Sequence, residues 1–283
     1  MEKWQRNILE DSHTLIAGCS GSGKSVALRS VLTEAIRKSP ASVNLVLIDL
    51  KRVELIDFKE APHTLAYIDK PEAVSGCLDT VMDIIEKRYA VMQSKREKMS
   101  SESDIYVVID EFADLVLTTS RHVVDTIQRI SQIGRAARVH IILCTQRPTR
   151  SDGILKGAIA VNLETRLALR CVCKQDSRNI LGINGAEELP QYGYGIFQRK
   201  GYNNRVSIDL VPDAEIERLI DYWKKNIPVL ERQRKGDIET PAVRAFKEEP
   251  KKAVKSHSDD DLLPNAEEWK KVVGSLARAI LGQ

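Results

Sequence analysis

Aromatic residues are scarce, at 5% of the 283-residue sequence. A platform of aromatics that stacks successive bases of single-stranded nucleic acid is therefore not expected. No apolar run approaches the roughly 18 residues that span a bilayer. The longest runs, around Leu45–Ile48 and Val139–Leu143, are the size of strands. Residues Met1–Asp11 contain no apolar core, so no secretory signal is expected. Cysteine is sparse as well: Cys19, Cys77, Cys144, Cys171 and Cys173, an odd number at irregular spacing. That pattern disfavours a disulfide framework or a zinc site, and the expected compartment is the reducing cytoplasm. Neither sign of charge is in large excess: 43 basic against 40 acidic residues, net +3. Any basic surface must come from local placement, not from bulk charge.

What is present is ordinary globular material. Hydrophobic residues are 42% and charged residues 29%, which excludes global disorder and collagen-like structure. The length suits one large domain plus a tail. His13–Ala17 is a short apolar run leading into a glycine-rich turn, and Val26–Ile36 continues with helical spacing. Val43–Leu50, Ile105–Asp110 and Val139–Thr145 are near-continuous apolar runs, as expected of strands covered on both faces. A fifth strand is expected over Leu167–Val172, with Cys171 and Cys173 facing one side of it. Between these runs, Asp69 and Pro71 start a helix on which Val74, Leu78, Val81, Ile85, Tyr89 and Met92 recur at threes and fours. Val123, Ile127, Ile130 and Ile133 mark another. Strands alternating with helices give an α/β fold with a mostly parallel central sheet and helices on both faces. The expected division is an N-terminal extension over 1–12, a main domain over 13–228, a flexible linker over 229–262 and a C-terminal amphipathic helix over 263–283. The linker is read from its Lys, Glu, Asp, Ser and Pro content.

Gly18-Cys19-Ser20-Gly21-Ser22-Gly23-Lys24-Ser25 fits G-x-x-x-x-G-K-[ST]. It follows an expected strand and opens an expected helix, the context a phosphate-binding loop needs. Glycines permit backbone conformations closed to other residues and let main-chain N–H groups approach phosphate oxygens. The helix that follows aims its positive end at the same anion. Lys24 is expected to reach the outer phosphates of ATP, and the Ser25 hydroxyl to ligate Mg2+. Asp110 and Glu111 end an apolar strand. Asp110 is expected to hold the magnesium shell, and Glu111 to orient and deprotonate an attacking water. Gln146 ends the next strand, at the edge where ligand groups gather in parallel sheets, and is expected to sense the terminal phosphate. The N-K-x-D and L-S-G-G-Q runs of small GTPases and ABC cassettes are absent.

Several stretches together resemble the FtsK/SpoIIIE family of DNA-translocating ATPases: HTLIAGCSGSGKSV, IDLKRVEL, EKRYAVM, VVIDEFADL, GRAARVHIILCTQRP, NLETRLAL, DSRNIL and GAEEL. The resemblance runs from about His13 to Trp223. It implies a RecA-like P-loop NTPase core that assembles as a ring, usually a hexamer, around double-stranded DNA and moves it at the expense of ATP. It implies that Arg166, in Glu164-Thr165-Arg166, reaches a neighbouring subunit's nucleotide, where a guanidinium spreads charge over the transferring phosphoryl group. Arg178, in Asp176-Ser177-Arg178, is a second candidate. Leu50 and Glu164 stand where the family pattern has prolines. Full-length members also carry a membrane-anchoring region and a winged-helix module that reads oriented DNA. A relative without them is expected here, similar to proteins of mobile elements and phages. Such a relative would not insert in the membrane directly, and it could serve a relaxase or another DNA-processing protein.

A ring motor should grip the phosphate backbone without reading bases. Arg147, Arg150 and Lys156 follow the fourth strand and are candidates to line a pore; Arg135 and Arg138 end the preceding helix. Two other readings stand beside this one. Type VII secretion ATPases and conjugative coupling proteins resemble the same motors but move protein or single-stranded DNA. A nucleotide-gated adaptor without motor activity is the third.

Overall fold

The computed structural model describes residues 4–11, 13–146 and 158–234. The candidate DNA contacts Arg147, Arg150 and Lys156 and the expected C-terminal helix lie outside the described residues, as does most of the expected linker. Among the described residues eight strands form one sheet: β1 (His13–Ala17), β2 (Val43–Ile48), β3 (Thr64–Ile68), β4 (Asp104–Ile109), β5 (Val139–Thr145), β6 (Thr165–Ala168), β7 (Tyr194–Arg199) and β8 (Tyr202–Ser207). Their order is β3-β2-β4-β5-β1-β6-β7-β8. From β3 to β6 every pairing is parallel, and β7 and β8 extend one edge as an antiparallel hairpin. The mostly parallel sheet expected from the alternating pattern is therefore present.

Among the described residues eight helices accompany it: α1 (Trp4–Glu10), α2 (Lys24–Ile36), α3 (Pro71–Lys95), α4 (Phe112–Thr118), α5 (Arg121–Ile133), α6 (Ala158–Asn162), α7 (Lys174–Leu181) and α8 (Asp213–Arg234). Successive strand residues point to opposite faces, so each central strand feeds two cores. Leu45 and Leu47 of β2, with Tyr106 and Val108 of β4, pack against α1, α2 and α8. Val46 and Ile48, with Ile105, Val107 and Ile109, pack against α3, α4 and α5. Each fully buried Leu, Ile or Val contributes about 1.5–3 kcal/mol of hydrophobic transfer. A strand buried on both faces has no polar positions to spare, which is why these runs read as continuous.

Residues 4–10, polar in overall composition, nevertheless form α1, because Trp4, Ile8 and Leu9 turn inward onto α2. The fifth strand ends earlier than the sequence suggests. β6 stops at Ala168; the Leu169 amide still reaches Ala17 O, but Cys171 then bonds across to Ala186 as the chain leaves the sheet. Cys171 is buried while Val172 and Cys173 are exposed, so the two cysteines do not share a buried face. Lys174 opens α7 immediately afterwards, which requires Cys173 to sit outside the sheet as the residue preceding the helix. Among the described residues no helix is long and apolar enough to cross a membrane.

Candidate nucleotide site

β1 lies inside the sheet between β5 and β6, so its carboxyl end opens between two other strand ends. The loop that follows is anchored on both sides. The Gly18 amide donates to Thr145 O at 3.3 Å and the Cys19 amide to Arg170 O at 2.9 Å. Gly18 is held so closely that a Cβ there would lie 2.6 Å from Ser22 Oγ and 2.7 Å from Leu169 Cβ. Gly23, the residue that caps α2, has φ of 92°, in the left-handed region that favours glycine. It carries no side chain to satisfy the first amides of α2, and those amides remain available to an anion. Ser22 Oγ is buried without a hydrogen-bond partner. An unpaired buried hydroxyl beside the uncapped start of α2 fits a bound phosphate oxygen.

Lys24 is 4% exposed, and its Nζ donates to Asp110 Oδ1 at 2.6 Å and to Asp110 O at 3.1 Å. Burial works against the ammonium, while Cys144, the hydrogen-bonded Asp110 and Glu111 favour it, and the net direction of the Lys24 pKa is up. The adjacent Cys144 thiol is pushed up by burial and stays protonated. Burial likewise raises Asp110; Lys24 opposes that, and the Glu54 and Asp49 carboxylates add to it.

Glu111 caps α4, its Oε1 accepting from the Ala113 amide at 3.4 Å. Its two carboxylate oxygens also accept the Gln146 main-chain N–H at 3.2 and 3.0 Å. These bonds join the ends of β4 and β5. Gln146 thus meets Glu111 through its backbone.

The structure therefore brings the Gly18–Ser25 loop, Asp110, Glu111 and Gln146 to one place. It sets the other candidates apart. Arg166 donates to Leu163 O at 2.9 Å, Ile180 O at 2.6 Å and Ala160 O at 2.8 Å, all within its own chain. Arg178 is on α7, its Nε bonded to Asn184 Oδ1 at 2.7 Å. Arg135 is exposed in the turn before β5, at the amino end of that strand and so across the sheet from the phosphate loop. Arg138 pairs with Asp104 at 2.6 Å.

Two acids escaped the sequence reading. The Ser25 hydroxyl donates to Glu54, in the loop after β2. Asp49, at the carboxyl end of β2, is wholly buried; its Oδ2 accepts from the Leu55 amide at 3.0 Å and from the Tyr67 hydroxyl at 3.2 Å, and its Oδ1 has no partner. The available signal was Asp49's place at the end of an apolar strand, the same signal that singled out Asp110.

The FtsK/SpoIIIE family model matches residues 2–102 and 91–150, more than half of the chain. DNA translocase FtsK of Tropheryma whipplei is 35% identical over 262 residues, covering 83% of this chain and 35% of that protein. The chain spans about a third of the length of the curated relatives it matches. The cytoplasmic domain of the Thermomonospora curvata type VII secretion ATPase EccC is similar in structure, with a TM-score of 0.66 and 25% identity over 74% of this chain and 28% of that one. The pCW3 conjugation coupling protein TcpA, in a monomer form with ATPγS, shares the fold, with a TM-score of 0.65 and 21% identity over 75% of this chain and 65% of that one. The chain belongs to the FtsK/SpoIIIE family, and its Gly18–Ser25 loop sits at the carboxyl edge of its central sheet.

Proposed function

We propose that the chain hydrolyses ATP at the Gly18–Ser25 loop and couples that reaction to movement of double-stranded DNA through a ring of its own copies. One observation carries the chemistry: the uncapped start of α2, a buried ammonium at Lys24 and a carboxylate at Glu111 share one site. In this reading the loop amides and Ser22 Oγ hold phosphate oxygens, and Lys24 turns part of its charge from Asp110 to the outer phosphates. Glu111 orients a water and takes its proton as the water oxygen attacks the γ-phosphorus, while the bond from that phosphorus to the bridging oxygen breaks and ADP leaves with phosphate as the other product. Gln146, fixed to Glu111 through its amide, sits where it can register the terminal phosphate. Ser25 and Asp110 offer hard oxygen donors that suit Mg2+. When bound, that ion neutralises charge on the phosphates.

Movement of DNA and assembly as a ring, hexameric by resemblance, are supported by 35% identity to a DNA translocase. Arg166 is the candidate to act on a neighbour's nucleotide, with Arg178 second; Arg135, Arg147, Arg150 and Lys156 are the candidate phosphate-backbone contacts. A relaxase or other DNA-processing protein is a candidate partner. Five free cysteines favour work in the reducing cytoplasm. The likeness to EccC supports a second reading, in which a protein is moved instead.

ATPase rate with and without long duplex DNA, across salt concentrations, tests the proposal. Duplex is expected to stimulate turnover, with the effect falling steeply as salt rises. Stimulation by a protein alone would favour the second reading. No turnover under any condition would overturn both.

A further inference from the structure

We propose that Glu54 is a positioning residue that makes nucleotide binding conditional on the divalent cation. This rests on the nucleotide site proposed above. The Ser25 hydroxyl has one proton to donate and gives it to the Glu54 carboxylate. Its lone pairs are then left for a cation. A carboxylate that accepts from a ligating group fixes that group's orientation and raises its donor strength, as outer partners of metal ligands do.

The contact is not that of a loose surface side chain. Leu55, the next residue, is buried, and its amide is held by Asp49 Oδ2 at 3.0 Å. Phe58, three residues further, is also buried, and its carbonyl accepts from the Thr64 hydroxyl at 2.7 Å. The loop thus presents Glu54 to Ser25 from a fixed backbone.

Charge gives the second half of the argument. Asp110 and Glu111 act on Lys24, and Asp49 and Glu54 act with Lys24 on the Asp110 carboxylate. Lys51, the other lysine beside Asp110 and Glu111, is exposed and is paired with Asp114 at 2.9 Å. The buried Asp49 Oδ1 has no hydrogen-bond partner to offset it. A triphosphate arriving without a cation brings further negative charge into this field, and like charges repel strongly where water is excluded. A triphosphate carrying its cation delivers the missing positive charge. Glu54 is the member of this group that touches the loop's hydroxyl, so its charge both repels the bare nucleotide and steers the ion to Ser25.

The test measures binding of a fluorescent ATP analogue with Mg2+ and again with EDTA, and Mn2+ affinity of the nucleotide complex by electron paramagnetic resonance. Glu54→Gln is isosteric and keeps an acceptor but removes the charge. It is expected to tighten binding in EDTA and weaken Mn2+ binding, so the ratio of the two Kd values falls about tenfold. Glu54→Asp keeps the charge but is too short for the Ser25 contact. It is expected to leave EDTA binding weak while Mn2+ affinity falls. A Kd ratio and Mn2+ affinity unchanged in both variants would overturn the proposal, and thermal denaturation confirms that each is folded. Lys24→Ala separates the two ideas: if it bound nucleotide as well as the parent, the site itself would be wrong whatever Glu54 does.

Discussion

Lys24 Nζ and Asp110 Oδ1 stand 2.6 Å apart with each side chain 3% exposed, so the pair is sealed from solvent. Removing one partner leaves the other charge buried. Lys24→Ala is therefore expected to lose nucleotide binding and also to cost about 3 kcal/mol of stability. Asp110 can escape by taking a proton, so the penalty should shrink as pH falls. Urea denaturation at two pH values checks both statements, and the Lys24→Ala, Asp110→Asn double variant should recover part of the loss.

Glu111→Gln keeps one oxygen to accept the Gln146 amide, so the fold at the ends of β4 and β5 should survive. An amide cannot take the proton of the attacking water. Turnover is expected to fall by a factor of about a hundred or more with ATP still bound. Single-turnover hydrolysis beside a binding titration measures this. Turnover at the parent rate would remove the role assigned to Glu111.

Gly18→Ala introduces a Cβ at 2.6 Å from Ser22 Oγ and 2.7 Å from Leu169 Cβ. Ser22 can rotate, but Leu169 follows directly on β6 and cannot. The loop must shift, at a cost of about 1–3 kcal/mol. Nucleotide affinity should fall with it, since the amides of the cradle move together. Calorimetric titration with ATPγS and a thermal melt read the two effects.

Arg166→Ala strips three main-chain carbonyls, of Ala160, Leu163 and Ile180, of a shared donor. A stability loss of about 1–3 kcal/mol is expected on that ground alone. A role on a neighbour's nucleotide makes a further prediction. Mixing Arg166→Ala with Glu111→Gln should restore some turnover, because shared sites are then assembled from intact halves. A mixture no more active than its components would leave Arg166 a structural residue.

Two histidines tie stability to acid. His13 Nδ1 accepts the Ile141 amide at 3.1 Å, and burial, with the positive field of His140 and Arg135, holds its pKa down to about 3. Burial holds His63 down to about 4, partly opposed by its bond to Lys38 O at 2.8 Å. Both are neutral in the fold and take protons once unfolded, near the ordinary value of about 6.5. Their stabilisation is complete above that value and is lost as pH falls through it toward the folded values, by up to about 1.4 kcal/mol per pH unit for each group. Chemical denaturation at pH 7, 6 and 5 checks the slope, and His63→Gln should flatten it.

The sequence alone determined where the Gly18–Ser25 loop, the Asp110-Glu111 pair and the central strands fall. Each is written in a few neighbouring residues: glycine where φ is positive, an acid where an apolar run ends, unbroken Val, Ile and Leu where both faces are covered. The half-exposed strand β3 and the mostly exposed β8 carry no such run, and they exist because neighbouring strands offered them hydrogen bonds. Likewise α1 is helical against a mixed composition because α2 covers Trp4, Ile8 and Leu9. The tertiary structure alone decided that Glu54 meets Ser25 across 29 residues of chain, that Lys24 meets Asp110 across 86, and that Arg166 turns to its own carbonyls. Local periodicity fixes which face of an element is buried, but only the packed sheet decides which charges are brought together once water has been excluded.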